Sequence, residues 1–213
     1  MSRRHLTPGS RDINFTDDER GRTIPVALWY PTEGIAAALT YGGIHAGRAA
    51  TGSAIAPGRG PLALLSHGTG GNRFNQFNLA EFLVRHGYIV AAIECPGDRT
   101  FDNGDFGSAK KFYSRPRDLN FVLGALLADS AIGGQIDDKR IAMLGHSAGG
   151  FTVISAASLT CPEDRRAPGG EEALNVEFFS AGVSLKDPLL RALVVAFEIT
   201  NLDRGAVVIS LRP

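Results

Sequence analysis

Ile141-Ala142-Met143-Leu144-Gly145-His146-Ser147-Ala148-Gly149-Gly150-Phe151-Thr152-Val153 is the stretch on which the reading of this chain turns. Its first four residues form a short apolar run, as expected of a strand buried on both faces. Residues 151–158 continue as an apolar helix. Between them stands G-x-S-x-G. A serine that is to attack a substrate must stand clear of its sheet on a sharp strand-to-helix turn. Small residues two positions before and two after it let the backbone bend that tightly. The helix that follows turns free N–H groups toward any developing negative charge. Ser147 is therefore the candidate nucleophile, and the Ala148 N–H a candidate oxyanion donor. The plainer alternative is a glycine-rich turn that carries a surface serine.

Upstream, residues 62–66 form a second compact apolar run. It leads into Ser66-His67-Gly68-Thr69-Gly70-Gly71. Glycines there let the backbone approach a substrate, and the Thr69 N–H is the candidate second oxyanion donor. Leu79, Phe82 and Leu83 have helical spacing, and Gly87 ends that helix. Residues 88–93 predict another buried strand. From His67 to Ser147 the pattern runs helix, strand, loop, helix, strand. Such a crossover returns a parallel strand beside the first.

Apolar runs alternating with amphipathic stretches predict an α/β domain spanning residues 1–213. Residues 12–15 and 24–30 predict two strands joined by a charged turn at 17–21. Residues 41–60 read as a loop, and residues 96–115 as a long one. Phe101, Phe106, Phe112 and Tyr113 either line an acyl pocket or anchor that loop. Pro116 is expected to open a helix with Leu119, Val122, Leu123 and Leu126 on one face. Residues 159–187 look irregular, with a short helix near 171–179. Residues 192–197 predict a strand, and 207–211 a further one.

The 213 residues carry 22 Lys+Arg and 22 Asp+Glu, for a formal net charge of +0. Nothing in that balance favours nucleic acid or an anionic membrane. The Lys110-Lys111 pair reads as solvated surface. Two cysteines, Cys95 and Cys161, are too few for a disulfide framework and lack zinc-site spacing, so free thiols are expected. No run is long and apolar enough to span a membrane, and the N-terminus shows no signal-peptide pattern. The compartment expected on that ground is the cytoplasm. The glycine-rich turns spell neither G-x-G-x-x-G nor a P-loop, which argues against a nucleotide site.

Several further pieces carry a family resemblance. They are Arg20-Gly21-Arg22-Thr23-Ile24-Pro25-Val26 with Trp29-Tyr30-Pro31, and Leu65-Ser66-His67-Gly68-Thr69-Gly70. They continue with His86-Gly87-Tyr88-Ile89-Val90-Ala91-Ala92, Cys95-Pro96-Gly97-Asp98, Arg115-Pro116-Arg117-Asp118-Leu119 and Gly145-His146-Ser147-Ala148-Gly149-Gly150. Together, over about residues 10–198, the chain resembles α/β-hydrolases grouped as predicted dienelactone hydrolases and the related platelet-activating-factor acetylhydrolases. The resemblance implies an α/β-hydrolase fold, a mostly parallel central sheet with helices on both faces. It also implies hydrolysis of small-molecule carboxylic esters by a Ser–acid–His triad, with no cofactor and no metal.

The triad order in that family is serine, acid, histidine. The resemblance makes Glu198, after the strand at 192–197, the candidate acid, with Asp203 a few residues on; other members of the family place the acid after the next strand. The histidines are His5, His45, His67, His86 and His146, so none follows Ser147. His67 is expected to hold the oxyanion turn by hydrogen bonds, and His146 to point away from the serine. The expectation is that the family's last strand, histidine loop and final helix are missing from the chain. That loss would uncover a sheet edge and favour self-association. Two functions stay open: a serine esterase, or a catalytically inactive hydrolase-fold protein with a binding role or none.

Overall fold

The computed structural model describes residues 6–159, 194–199 and 206–207. In chain order the elements are β1 (Thr7–Asp17), β2 (Arg22–Thr32), β3 (Ala37–Tyr41), β4 (His45–Thr51), β5 (Gly60–Ser66) and α1 (Phe77–Arg85). They continue with β6 (Ile89–Ile93), α2 (Lys110–Ala128), β7 (Ile136–His146), α3 (Ala148–Leu159), β8 (Val194–Ile199) and β9 (Ala206–Val207). The strands form one sheet in the order β3-β4-β1-β2-β6-β5-β7-β8-β9. At its centre β5 lies parallel to both β6 and β7. That is the crossover geometry expected from the spacing of the two glycine-rich turns.

Alternation along the central strands sends side chains to two cores. Leu62 and Leu64 of β5, with Ile89, Ala91 and Ile93 of β6, pack under Leu119, Val122 and Leu126 of α2 and Val153 and Ala156 of α3. Ala63 and Leu65, with Val90 and Ala92, face the other way and meet Ala80 and Val84 of α1. A strand with apolar residues at every position needs cover on both faces, and the three helices provide it. Trp29 and Tyr30 of β2 are both fully buried, one in each core.

Two sequence expectations are corrected. Residues 41–60 are not one loop: Ala37–Tyr41 and His45–Thr51 pair as an antiparallel hairpin at the sheet edge. Its turn uses Gly42 and Gly43, at φ 56° and 79°, a region open to glycine. The strands are poor in large apolar residues, and tertiary contacts hold them. Tyr41 stands edge-on to Trp29, with ring centroids 5.4 Å apart. Buried Glu81 of α1 accepts hydrogen bonds from Tyr41 Oη at 3.2 Å and Arg48 N at 2.9 Å.

The second correction concerns α2. It begins at Lys110 and carries Pro116 in its interior. Ser108 Oγ accepts from Lys110 N at 3.1 Å and supports the early start. The Ser114 hydroxyl donates to the Lys110 carbonyl at 2.8 Å. The added residues put Lys111 and Phe112 on an ordered helix instead of a loop.

Asp118 of α2 is fully buried and holds the β1–β2 turn. Arg22 reaches both its oxygens, at 3.0 and 2.7 Å, and Arg20 reaches Oδ1 at 2.8 Å. β8 pairs antiparallel with β7, and β9 with β8. The expected helix near 171–179, Cys161 and most of 207–211 lie outside the described residues.

Candidate active site

Ser147 sits at φ 54°, and among the described residues it is the non-glycine residue with positive φ. An L-residue pays about 1–2 kcal/mol for that conformation, so the surrounding turn must impose it. The two flanking glycines show how. A Cβ on Gly145 would lie 2.1 Å from the Gly149 carbonyl oxygen, and one on Gly149 would lie 2.0 Å from that of Ser66. Both clashes are with backbone, so no side-chain rearrangement relieves them. The Ser147 carbonyl accepts from Gly150 N at 2.9 Å and starts the α3 turn. Ala148 is the first residue of α3, so its N–H has no acceptor within the helix.

Ser66 of β5 lies opposite Gly145 of β7 in the parallel register. The two strands therefore end side by side, and the turns that leave them meet. A Cβ on Gly68 would lie 3.5 Å from Ser147 Cβ. Thr69 follows at once and is exposed, as is Ser147. Ser147, Ala148 and Thr69, the residues expected to carry nucleophile and oxyanion donors, are thus gathered at one end of the sheet.

A buried ion pair braces the second turn. Arg115 and Asp98 meet at 2.6 Å with side chains 2% and 1% exposed. Asp98 Oδ1 accepts from Gly70 N at 3.1 Å. The Arg115 guanidinium donates to Ser66 Oγ at 3.2 Å and to the His67 carbonyl. The bonds to this turn offset part of the desolvation of the two charges, although the buried Arg115 Nε has no hydrogen-bond partner. Asp98 and Arg115 were visible in sequence as parts of two motifs, but nothing there joined them to each other.

His67 is 2% exposed, and both ring nitrogens are engaged. Nε2 accepts from Cys95 N at 3.1 Å, so the proton resides on Nδ1, which donates to the Gly68 carbonyl at 2.6 Å. Burial, reinforced by the Arg115 charge, pushes its pKa down to about 4. His67 therefore ties the end of β5 to the end of β6 and has no nitrogen left for Ser147. His86 contacts the Phe82 carbonyl and ring, and His45 the ring of Phe77. His146 lies beside Gly68, with Nδ1 3.0 Å from that glycine's Cβ position. His5 is outside the described residues.

The strand expected to lead to Glu198 is present as β8, but antiparallel. Its register pairs Val194 with His146 and Glu198 with Ala142. Glu198 therefore lies beside the middle of β7, level with Ala142 and not with the His146 end of the strand. Cys95 is fully buried, and burial pushes its thiol up to about 12.

The four aromatic residues of 98–115 divide. Phe101 stands in solvent at 99% exposed, which fits neither an anchor nor a wall. Phe112 meets Phe151 of α3 edge-on at 5.1 Å, beside the elbow. Lys111 Nζ lies over the Phe106 and Phe112 rings, 5.5 and 5.6 Å from their centroids. It also reaches Thr69 Oγ1 at 3.3 Å. Lys111, read in sequence as solvated surface, belongs to the rim of the site. Among the described residues no cluster of three metal-ligating side chains occurs, and no helix is long and apolar enough to cross a membrane.

The chain is similar to the ferulic acid esterase of Streptomyces cinnamoneus. The TM-score is 0.56 and the identity 25%, over 71% of this chain and 54% of that one. The chain has the α/β-hydrolase fold. Within that fold, Ser147 stands on the strand-to-helix turn between β7 and α3, beside the turn that leaves β5. Two curated relatives match in part. Cutinase est2 of Thermobifida alba is 38% identical over 82 residues, which cover 38% of this chain and 24% of the cutinase. Cutinase 2 of Thermobifida cellulosilytica is 33% identical over 96 residues, covering 44% and 33%. The chain therefore spans a third or less of the curated relatives it matches. No protein-family model matches the chain.

Proposed function

We propose that this chain is a serine hydrolase acting on carboxylic esters through an acyl-enzyme on Ser147. The carrying observation is the left-handed backbone of Ser147 at the tip of its turn, enforced by Gly145 and Gly149. Holding a serine in that conformation is costly and serves to expose its hydroxyl. In the proposed reaction Ser147 Oγ attacks the ester carbonyl carbon, and its proton passes to a base. The alcohol leaves with a proton, and water then releases the acid and restores the hydroxyl. The Ala148 and Thr69 N–H groups would face the carbonyl oxygen as it becomes negative. The partial matches to proteins named cutinases and to a ferulic acid esterase support ester cleavage as the reaction class.

A second reading is favoured by His67. Its ring nitrogens are both spent on backbone partners, and no histidine follows Ser147. A serine without a base is a weak nucleophile near neutral pH. On that reading the chain binds a ligand or partner, or has no binding role, and catalyses nothing. A fluorophosphonate probe separates the two, because it reports an activated serine and not mere exposure. The esterase reading expects labelling of the folded chain, lost in Ser147→Ala. Absence of labelling from a folded sample would establish the non-catalytic reading.

A further inference from the structure

We propose that the Thr69 side-chain hydroxyl, polarised by Lys111, is a third hydrogen-bond donor to the oxyanion, beside the two backbone N–H groups. The inference deepens the Ser147 reading and rests on it. An ammonium can only donate hydrogen bonds, so at 3.3 Å from Lys111 Nζ the Thr69 oxygen accepts. The Thr69 hydroxyl proton is then directed away from Lys111. Thr69 is exposed and directly follows Gly68, whose Cβ position is 3.5 Å from Ser147 Cβ. The turn that carries Thr69 thus packs against Ser147, and Thr69 is its exposed residue.

Three features fit this role better than they fit a chance surface contact. The turn is fixed on both sides of Thr69, by Arg115 on the His67 carbonyl and by Asp98 on Gly70 N. Thr100 adds a bond from its hydroxyl to the Gly70 carbonyl at 3.2 Å. Lys111 is itself held, between the Phe106 and Phe112 rings, and Phe112 leans on Phe151 next to the elbow. Finally, Lys110 pairs with Asp105 at 3.3 Å, whereas Lys111 forms no ion pair among the described residues. Its charge is therefore left to act on Thr69. A hydroxyl that accepts from a cation is a stronger donor in turn. Such a bond strengthens as the carbonyl oxygen gains charge, so it lowers the barrier more than it tightens substrate binding. No proton leaves Thr69, which makes it a donor and not an acid. Lys111 acts through it as a positioning residue.

The test is steady-state hydrolysis of p-nitrophenyl butyrate by the whole chain, with Ser147→Ala as background. Thr69→Val keeps the shape and the backbone N–H but removes the hydroxyl. The expected result is kcat lower by about tenfold with KM within about twofold, and Thr69→Ser recovering most of the loss. Lys111→Met lowers kcat by about threefold alone and adds nothing in the Thr69→Val background. A Thr69→Val kcat within about twofold of wild type overturns the proposal, as does a Lys111→Met effect that persists without the hydroxyl. Wild-type turnover no greater than that of Ser147→Ala removes the serine reading itself, and this inference with it.

Discussion

Ser147 is held where its chemistry would need it and against its own backbone preference. The left-handed φ of 54° is unfavourable for serine and free for glycine. Ser147→Gly is therefore expected to raise stability by about 1 kcal/mol while abolishing fluorophosphonate labelling. Ser147→Ala should abolish labelling with stability within about 0.5 kcal/mol of wild type. Urea midpoints beside labelling yields check both. A serine variant series in which glycine is the least stable would refute the strain argument. His67 gives the second expectation at this scale. Its folded pKa of about 4 lies below the unfolded value of 6.5. The unfolded chain thus binds more protons between those values. The stability from neutral His67 is complete above pH 6.5 and is lost as pH falls through 4. The loss is on the order of 3 kcal/mol. Urea unfolding at pH 7 and pH 4.5 should show it, and His67→Gln should flatten that part of the profile.

The strand-to-helix elbow depends on contacts its glycines make with other elements. Gly149 packs against the end of β5, where a Cβ would sit 2.0 Å from the Ser66 oxygen and 2.8 Å from that of His67. Gly149→Ala would have to push α3 away from β5 by moving backbone. A cost of about 3 kcal/mol or more is expected, read as a lower thermal midpoint together with lost labelling. An alanine variant of unchanged stability would mean that the two elements are not in this contact. The long helix α2 shows the limit of local reading. Pro116 is a strong start signal, yet the helix begins six residues earlier at Lys110. Ser108 and Ser114 supply hydrogen bonds around that first turn. Propensity at one residue gave way to bonding from its neighbours, and Lys111 reached the site only because it did.

Across the whole molecule, charged residues join elements that are distant in sequence. Asp118, fully buried in α2, accepts from Arg20 and Arg22 and fastens the β1–β2 hairpin over the helix. The arginine side chains are 24% and 15% exposed, so solvent softens the loss of the pair. Asp118→Asn is expected to cost about 2–3 kcal/mol in urea unfolding. Labelling of Ser147 at low denaturant should survive, because the hydrogen bonds of the clamp run to Asp118, Asp17 and the Pro96 carbonyl and not to the Ser147 turn. Loss of labelling without loss of stability would instead tie this clamp to the site. The Arg115–Asp98 pair uses the same chemistry on different partners: the backbone groups of the turn that leaves β5.

Periodicity and turn chemistry by themselves determined much of this protein. The apolar runs at 62–66, 88–93 and 141–144 have the length and pattern of strands covered on both faces, and they fall in β5, β6 and β7. Gly145 and Gly149 around Ser147 specified a bend, because no other residue fits so near a neighbouring backbone. The β3–β4 hairpin was not legible, because small residues with weak alternation carry no signal until Trp29, Tyr41 and Glu81 meet in space. The buried Arg115–Asp98 brace and the Lys111–Thr69 contact also belong to the tertiary structure. A charge in sequence looks like solvated surface, and only packing shows which charges are desolvated and on what they act. The direction of β8 was settled at that level as well. An apolar run gives a strand but not its sense, and the antiparallel register places Glu198 beside Ala142.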